Sequence, residues 1–309
     1  MSPCDGASTD PEIRLHPTLL KLGSFQIHSY GLLLAIAFLV AIQIFVVRGK
    51  RRGISEDALH TISLVLLILA IVGGRGLFVL THWSEYAADP LGILRLWEGG
   101  LMLYGGYVLA IVGGIVYVRR AKLPLWKVAD AAAPAMALGI GIGRIGCFLN
   151  GCCFGIPTHA PWGVQFPPGS YSTFVFPGSH IHPSQLYMVL SGVLLFVVLL
   201  RLDRKPRFDG YLFWMGVALD SVLRFGIDFT RYYDSTSFLG KIGGLSFNIN
   251  QILSAVLFLT SIAMLKILSR RRAAAVGAPP QGGTPDARTG PRAEVETPPT
   301  GAPEPRSAR

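Results

Sequence analysis

Charge is what this sequence has least of. Only 15% of its 309 residues are Asp, Glu, Lys or Arg, against about 25% in an ordinary soluble domain. That shortage excludes a water-facing surface over most of the chain. No self-similar period marks a solenoid or an inverted repeat. Cysteine is also sparse, at four residues, and lacks the two separated pairs of a structural zinc site. The alternating Gly139, Gly141 and Gly143 follow no strand, so they do not make a dinucleotide loop. The stretch 150–183 contains no Lys or Arg. The polar region before Tyr30 has no early apolar core, so no cleavable leader is expected there.

What is present is apolar sequence in long runs. Hydrophobic residues make up 51% of the chain. They gather near Tyr30–Val47, Ala58–Leu80, Leu101–Val118, Val128–Leu149, Gln185–Leu202, Tyr211–Phe229 and Phe247–Leu268. Runs of about 18 residues or more with few charges predict membrane-spanning helices, whose backbone groups must pair internally. The expectation is an all-α integral membrane protein with seven transmembrane helices. The fourth and sixth runs carry polar breaks. Ala131, Ala135, Gly139 and Gly143 form a small-residue seam along the fourth.

The net charge of +10 is distributed in a way that argues against nucleic-acid binding. RGKRR (48–52), RRAK (119–122), RLDRKPR (201–207) and KILSRRR (266–272) follow the odd-numbered runs, and the opposite loops are nearly bare. The positive-inside rule then puts the N-terminus outside and the C-terminus in the cytoplasm. The basic segments would face anionic headgroups. Three regions are expected: an outer segment over 1–24, a seven-helix core over 25–272 with an outer loop at 150–183, and a tail over 273–309. The tail's Pro, Gly, Ala and charge predict disorder.

Four arginines break the apolar pattern: Arg75, Arg144, Arg224 and Arg231. An arginine at mid-membrane costs about 2.5–3.5 kcal/mol on insertion scales. It must pair with an acid, line a wet cavity, bind an anion or snorkel to the interface. Arg224 and Asp228 are spaced to share one helix face. On this topology all four arginines lie toward the outer side, where guanidinium groups could take a phosphate bidentately. Cys147, Cys152 and Cys153 are spaced C-x4-C-C. They could be small semi-buried residues, a Cys147–Cys152 disulfide, or a metal site helped by His159, His180 or His182. The loop after them is long and rich in Gly, Pro and aromatics, which points to function. His182 at its end could be a base, a phosphate ligand or a helix-entry residue.

GRIGCFLNGCCFG (143–155) resembles the signature segment of the bacterial prolipoprotein diacylglyceryl transferases. SYGLLLAI (29–36), GGRGLFVL (73–80), WEGGLMLYGG (97–106), HPSQLY (182–187), RFGIDFTR (224–231) and FNINQILS (247–254) follow in the family's order. The resemblance covers about residues 25 to 270. It implies a multi-pass protein of the bacterial inner membrane with its chemistry on the periplasmic side. The reaction would move a diacylglyceryl group from phosphatidylglycerol to the lipobox cysteine of a pre-prolipoprotein, with neither metal nor organic cofactor. By motif position, Arg144 and Arg224 would hold the phosphate, and Tyr30, Asn150 and Gly155 match further family positions. Arg75, Asp228 and Arg231 are assigned to the substrate site with them.

This chain departs from the family pattern at Tyr104, where a His is usual, at Cys147 for Asn, at Cys152 for Glu and at Met188 for Glu. Asp228 stands where Glu is usual. Three routes for thiol deprotonation stay open: Tyr104, His182, or the arginine field acting on the thiol itself. The departures also leave room for a noncatalytic lipid-binding paralogue, and the buried arginines for an anion or lipid transporter.

Overall fold

The computed structural model describes residues 18–22, 25–87, 89–95, 99–233, 238–242 and 245–277. Residues 1–17 with Cys4, residues 96–98 with Trp97 and Glu98 of the WEGG motif, and the tail from 278 lie outside the described residues. The chain is mostly helical. β1 (Thr18–Leu22) and β2 (Phe25–His28) form an antiparallel hairpin that runs into α1 (Ser29–Arg51). Next come α2 (Glu56–Thr81), the short α3 (Trp83–Tyr86), α4 (Leu103–Arg120) and α5 (Leu125–Leu149). The short α6 (Tyr171–Val175) lies in the long loop before α7 (Ser184–Leu202) and α8 (Tyr211–Ile227). A second antiparallel hairpin, β3 (Phe238–Ile242) with β4 (Leu245–Asn248), leads into α9 (Ile249–Gly277).

Each apolar run contains one long helix. Five of these, α1, α2, α5, α7 and α9, are long and apolar enough to cross a bilayer. The other two fall short for visible reasons. α4 has 18 residues, spends four of them on glycine and ends in Arg119 and Arg120, and α8 has 17 residues that include Asp220 and Arg224. The polar break expected in the fourth run does not interrupt α5, which passes through Pro134. The all-α expectation is amended by the two hairpins. Four- and five-residue strands are too short to register in a window that detects spanning helices, and their backbone groups pair across the hairpin instead. α9 also continues to Gly277, past the expected start of the tail at 273.

α5 is the central element and packs against α1, α7 and α8, while α2 pairs with α4 and α8 with α9. Large apolar side chains point outward along these helices, among them Leu39, Leu64, Leu190 and Leu259. Such faces suit lipid and would aggregate in water. The expected seam on α5 is partly realised: Gly139 faces Ala41 of α1, but a side chain at Gly143 would meet nothing within 4 Å. The closest helix approach falls elsewhere, where a Cβ at Gly73 of α2 would lie 2.3 Å from the carbonyl oxygen of Gly105 on α4.

At the end of the bundle that carries the basic loops, charges are tied together. Asp130 of α5, almost fully buried, accepts the backbone N–H groups of Gly210 and Phe213 at 2.9 Å each, so it caps the start of α8 across the fold. Arg52 reaches Asp130 at 3.6 Å and Asp203 at 2.5 Å, and Arg48 also contacts Asp203. Part of the basic sequence after α1 and α7 therefore closes the bundle.

At the opposite end the loop between α5 and α7 has its own core. Phe154, Phe166 and Ile181 are buried, with Phe154 stacked on Tyr232 at 5.5 Å between ring centroids. Gly155 is the stitch point. Its N–H donates to the His182 carbonyl at 3.0 Å, and the next N–H, of Ile156, donates to the Thr230 carbonyl at 3.0 Å. A Cβ at Gly155 would lie 2.5 Å from both of those carbonyl oxygens. Both are backbone atoms, so neither can swing away. Gly155→Ala is therefore expected to lower stability by about 1–3 kcal/mol, the usual cost of overpacking. Gly143→Ala should not, because the space there is open and Ala favours a helix over Gly by about 0.5–1 kcal/mol. Thermal unfolding of the two purified variants in detergent checks the contrast.

Candidate active site

The C-terminal end of α5, the turn after it, the entry to α7 and the exit of α8 meet around Gly155. α5 ends at Leu149 with Asn150 as its C-cap. Gly151 then takes φ 68° and Cys153 φ 59°. Left-handed φ is costly for a residue with a side chain, about 1–3 kcal/mol, and here it turns the chain back on itself. The Sγ atoms of Cys147, Cys152 and Cys153 all lie within 4.8 Å of one another. All three are free thiols. Gln185, fully buried at the start of α7, donates Nε2–H to the Cys152 carbonyl at 2.8 Å and fixes this turn.

Arginines surround the thiols. Arg144 Nη1 lies 3.9 Å from Cys147 Sγ. Arg231, just beyond the 3-10 turn Asp228–Thr230, touches Cys153. Hydrogen bonds from Cys147 and Cys152, together with the Arg231 and Arg144 charges, hold the Cys153 thiol below the usual thiol range against the effect of its burial. The Asn150 side chain lies against Cys152. Tyr30, at the start of α1, packs its ring over Gly146 and leaves 42% of its surface open.

The four expected arginines divide sharply. Arg75 is 5% exposed, and every N–H of its guanidinium is used. Nε donates to Ile93 O at 2.9 Å, Nη1 to Gly99 O at 2.6 Å and Gly100 O at 3.1 Å, and Nη2 to Gly92 O at 2.7 Å and Arg95 O at 3.4 Å. It also sits over the rings of Phe78 and Tyr86, at 5.8 and 5.2 Å. Hydrogen bonds to a charged group contribute about 1.5–3 kcal/mol each, so these carbonyls offset the cost of the charge without any ligand. The expectation that Arg75 holds substrate is corrected on that ground: it clamps the 92–100 segment to α2.

Arg144 and Arg224 are the reverse case. Both are half-buried. Among the described residues, the sulfur of Cys147 is the one hydrogen-bond acceptor of Arg144 and Arg224 has none. Both act electrostatically on one carboxylate, Asp220, Arg224 the more strongly. Asp220 went unremarked in the sequence, although it stands four residues before Arg224 on α8, the spacing that puts two side chains on one helix face.

α8 stops at Ile227 and Asp228 begins the 3-10 turn, but Asp228 keeps α-helical backbone angles and its N–H donates to the Arg224 carbonyl, so the four-residue spacing of Arg224 and Asp228 persists. Asp228 is 2% exposed and its Oδ1 accepts the Tyr233 hydroxyl at 2.7 Å. Burial raises the Tyr233 hydroxyl above the usual phenol range, which favours its role as donor there. Arg231 Nη1 donates to the same hydroxyl at 3.1 Å, with its Cζ 4.9 Å above the Tyr233 ring. Asp228 Oδ2 and Arg231 Nε are buried without a partner among the described residues. Buried polar atoms of this kind call for an occupant.

The two side chains considered as bases sit in different surroundings. Tyr104 is 62% exposed near the start of α4 and makes no hydrogen bond among the described residues. His182 Nδ1 pairs with the Tyr187 hydroxyl at 3.0 Å, and that hydroxyl accepts Trp162 Nε1–H at 2.7 Å. The Tyr187 hydroxyl thus holds the imidazole through Nδ1, and the tautomer sets which of the two is the donor.

Over most of its length the chain is similar to one known family. The family model for prolipoprotein diacylglyceryl transferase matches residues 17–267. A phosphatidylglycerol–prolipoprotein diacylglyceryl transferase of Geobacter sulfurreducens is 36% identical over 264 residues, covering 84% of this chain and 97% of that protein. Proteins of the same name from Mannheimia succiniciproducens and Trichormus variabilis are 35% and 34% identical, covering 84% and 70% of this chain and 94% and 78% of theirs. With its motifs in order and most of its length matched, the chain belongs to the prolipoprotein diacylglyceryl transferase family.

Proposed function

We propose that this protein transfers the diacylglyceryl group of phosphatidylglycerol to the lipobox cysteine of pre-prolipoproteins, the first step of bacterial lipoprotein maturation. It would do so in the inner membrane as a seven-span protein, N-terminus outside and C-terminus in the cytoplasm. The observation that carries the reading is the contrast among buried arginines. Arg75 has all its donors on carbonyls, whereas among the described residues Arg144 meets only the Cys147 sulfur and Arg224 meets no acceptor, and both act electrostatically on Asp220.

The reaction is a displacement at the glycerol carbon that bears the phosphate. The leaving phosphate develops charge, and preorganised donors aimed at it are worth most in a site that excludes water. Arg144 on α5 and Arg224 on α8 supply those donors from two sides. Arg231, with Nε buried and unpaired among the described residues, adds a third along the headgroup. Tyr30 and Asn150 line the approach, and Gly155 holds the segments together. The acceptor thiol has an ordinary pKa near 8.5 and must lose its proton in a field set by Arg144 and Arg231. The residues at 104, 147 and 152 favour a second reading, a noncatalytic lipid-binding paralogue. Rescue of a transferase-depleted bacterial strain by this gene distinguishes the two.

With purified protein, phosphatidylglycerol vesicles and a lipobox peptide, Arg144→Ala and Arg224→Ala should each lower kcat/KM by about 10²–10³-fold, the usual cost of a charge-stabilising donor. Lysine at either position should restore little, because it cannot make the bidentate contact. Arg75→Ala should instead depress the unfolding temperature, and variants that all lose activity in proportion to unfolding would contradict the division. Tyr104→Phe offers a separate test. Loss of a true base costs about 10²–10⁴-fold, and a partnerless, exposed hydroxyl should be dispensable, so near-normal turnover is expected.

A further inference from the structure

We propose that Cys147, Cys152 and Cys153 bind one Zn²⁺ ion through their sulfurs and that the fourth position of that ion receives the acceptor thiol as a thiolate. The second half of the proposal rests on the transferase reading, and the first stands without it.

Spacing alone, C-x4-C-C, gives little reason to expect a metal, because a helix end separates the first sulfur from the other two. The fold removes that objection. The left-handed residues Gly151 and Cys153 fold the turn back against the last turn of α5, and all three sulfurs fall within 4.8 Å of one another. Zinc–thiolate bonds of about 2.3 Å in a tetrahedral site put sulfurs about 3.8 Å apart, within reach of small side-chain rotations. The sulfurs are held by a fixed backbone: Gln185 grips the Cys152 carbonyl at 2.8 Å.

The surroundings fit the charge. Three thiolates on a divalent ion carry one net negative charge, and a fourth thiolate makes it two. Arg144 lies 3.9 Å from Cys147 Sγ and Arg231 touches Cys153, so two guanidinium groups stand ready to compensate. Among the described residues no His, Asp or Glu joins the three sulfurs. Three protein ligands with an open position make a catalytic rather than a structural zinc site, and an all-thiolate set selects a soft ion over magnesium or calcium.

The open position supplies what the site otherwise lacks. A coordinated thiol is deprotonated outright, which removes the need for Tyr104 or His182 as a base. The balance is simple. On coordination the acceptor S–H proton passes to water. A sulfur lone pair then forms the S–C bond to the glycerol carbon while the C–O bond to phosphate breaks. The electron pair stays on the phosphate oxygen, beside Arg144 and Arg224. Zinc remains divalent throughout, and the neutral thioether is a weak ligand that leaves.

The test uses the full chain, purified in detergent under reducing conditions and loaded with Co²⁺ as a spectroscopic stand-in. One equivalent should bind with thiolate-to-cobalt charge transfer and the visible bands of a tetrahedral site, and Zn²⁺ should displace it. Replacing Cys147 and Cys152 together with serine should weaken binding by about tenfold or more. Cys152→His, which keeps a ligand, should retain the metal with an altered spectrum and so controls for folding. A lipobox peptide should shift the visible bands, and its Cys→Ser counterpart should not. Cobalt binding equal in the wild type and the double variant would overturn the proposal. So would a disulfide among the three whose reduction yields no metal binding, copurification of copper alone, or full transfer by metal-free protein. That last result would leave the transferase reading intact. Metal binding with a peptide-dependent shift but no transfer would instead preserve the site and remove the transferase reading.

Discussion

At Gly155 three segments of chain approach so closely that a single methyl group would collide with two backbone carbonyls. The residue joins the end of α5, the entry to α7 and the exit of α8 by N–H to carbonyl bonds. Arg144, His182 and Arg231 ride on those three segments. Their meeting is a consequence of backbone hydrogen bonds at the mouth of the bundle, where chain that is no longer helical must still satisfy its polar groups. The aromatic core around Phe154 covers that crossing. A long loop thereby becomes a fixed wall, because its apolar residues have each other to bury against.

The buried arginines show how one residue type serves opposite ends. A guanidinium has five N–H donors in a rigid fork. Where carbonyls take all of them, as at Arg75, the charge becomes a fastener and nothing remains for a ligand. Where the protein leaves them open, as at Arg144 and Arg224, the charge is available to an anion. The acceptors that the protein supplies decide what the charge does.

The two ends of the bundle are built on different chemistry. At the basic end, carboxylates satisfy the arginines and a helix start: Asp203 meets Arg48 and Arg52, and Asp130 caps α8. Those contacts close the fold. At the other end, sulfur and open guanidinium groups predominate, and among the described residues Asp228 Oδ2 and Arg231 Nε have no partner. Among the described residues, three of the four buried polar side-chain atoms without a partner, Gln185 Oε1, Asp228 Oδ2 and Arg231 Nε, lie at this end, and Trp214 Nε1 lies near the start of α8 at the other; such atoms call for an occupant.

Read alone, the sequence determined a mostly helical membrane protein, five of whose helices are long and apolar enough to cross a bilayer, because a run of apolar residues is a local property and lipid permits few other backbones. It also determined which charges were out of place, and the motif order that placed the chain in its family. Small departures were within its reach too, such as the amended helix ends and the Asp220–Arg224 spacing. It could not fix the partners. The carbonyls that consume Arg75 lie 17 to 25 residues away in chain, Asp228 receives the Tyr233 hydroxyl from beyond the end of α8, and the hairpins before α1 and α9 were too short to announce themselves. The three cysteines gave a weak pattern on paper and a tight cluster in space. Tertiary structure decided these points because hydrogen-bond saturation and sulfur proximity depend on which distant segments the backbone brings together, and residue order does not record that.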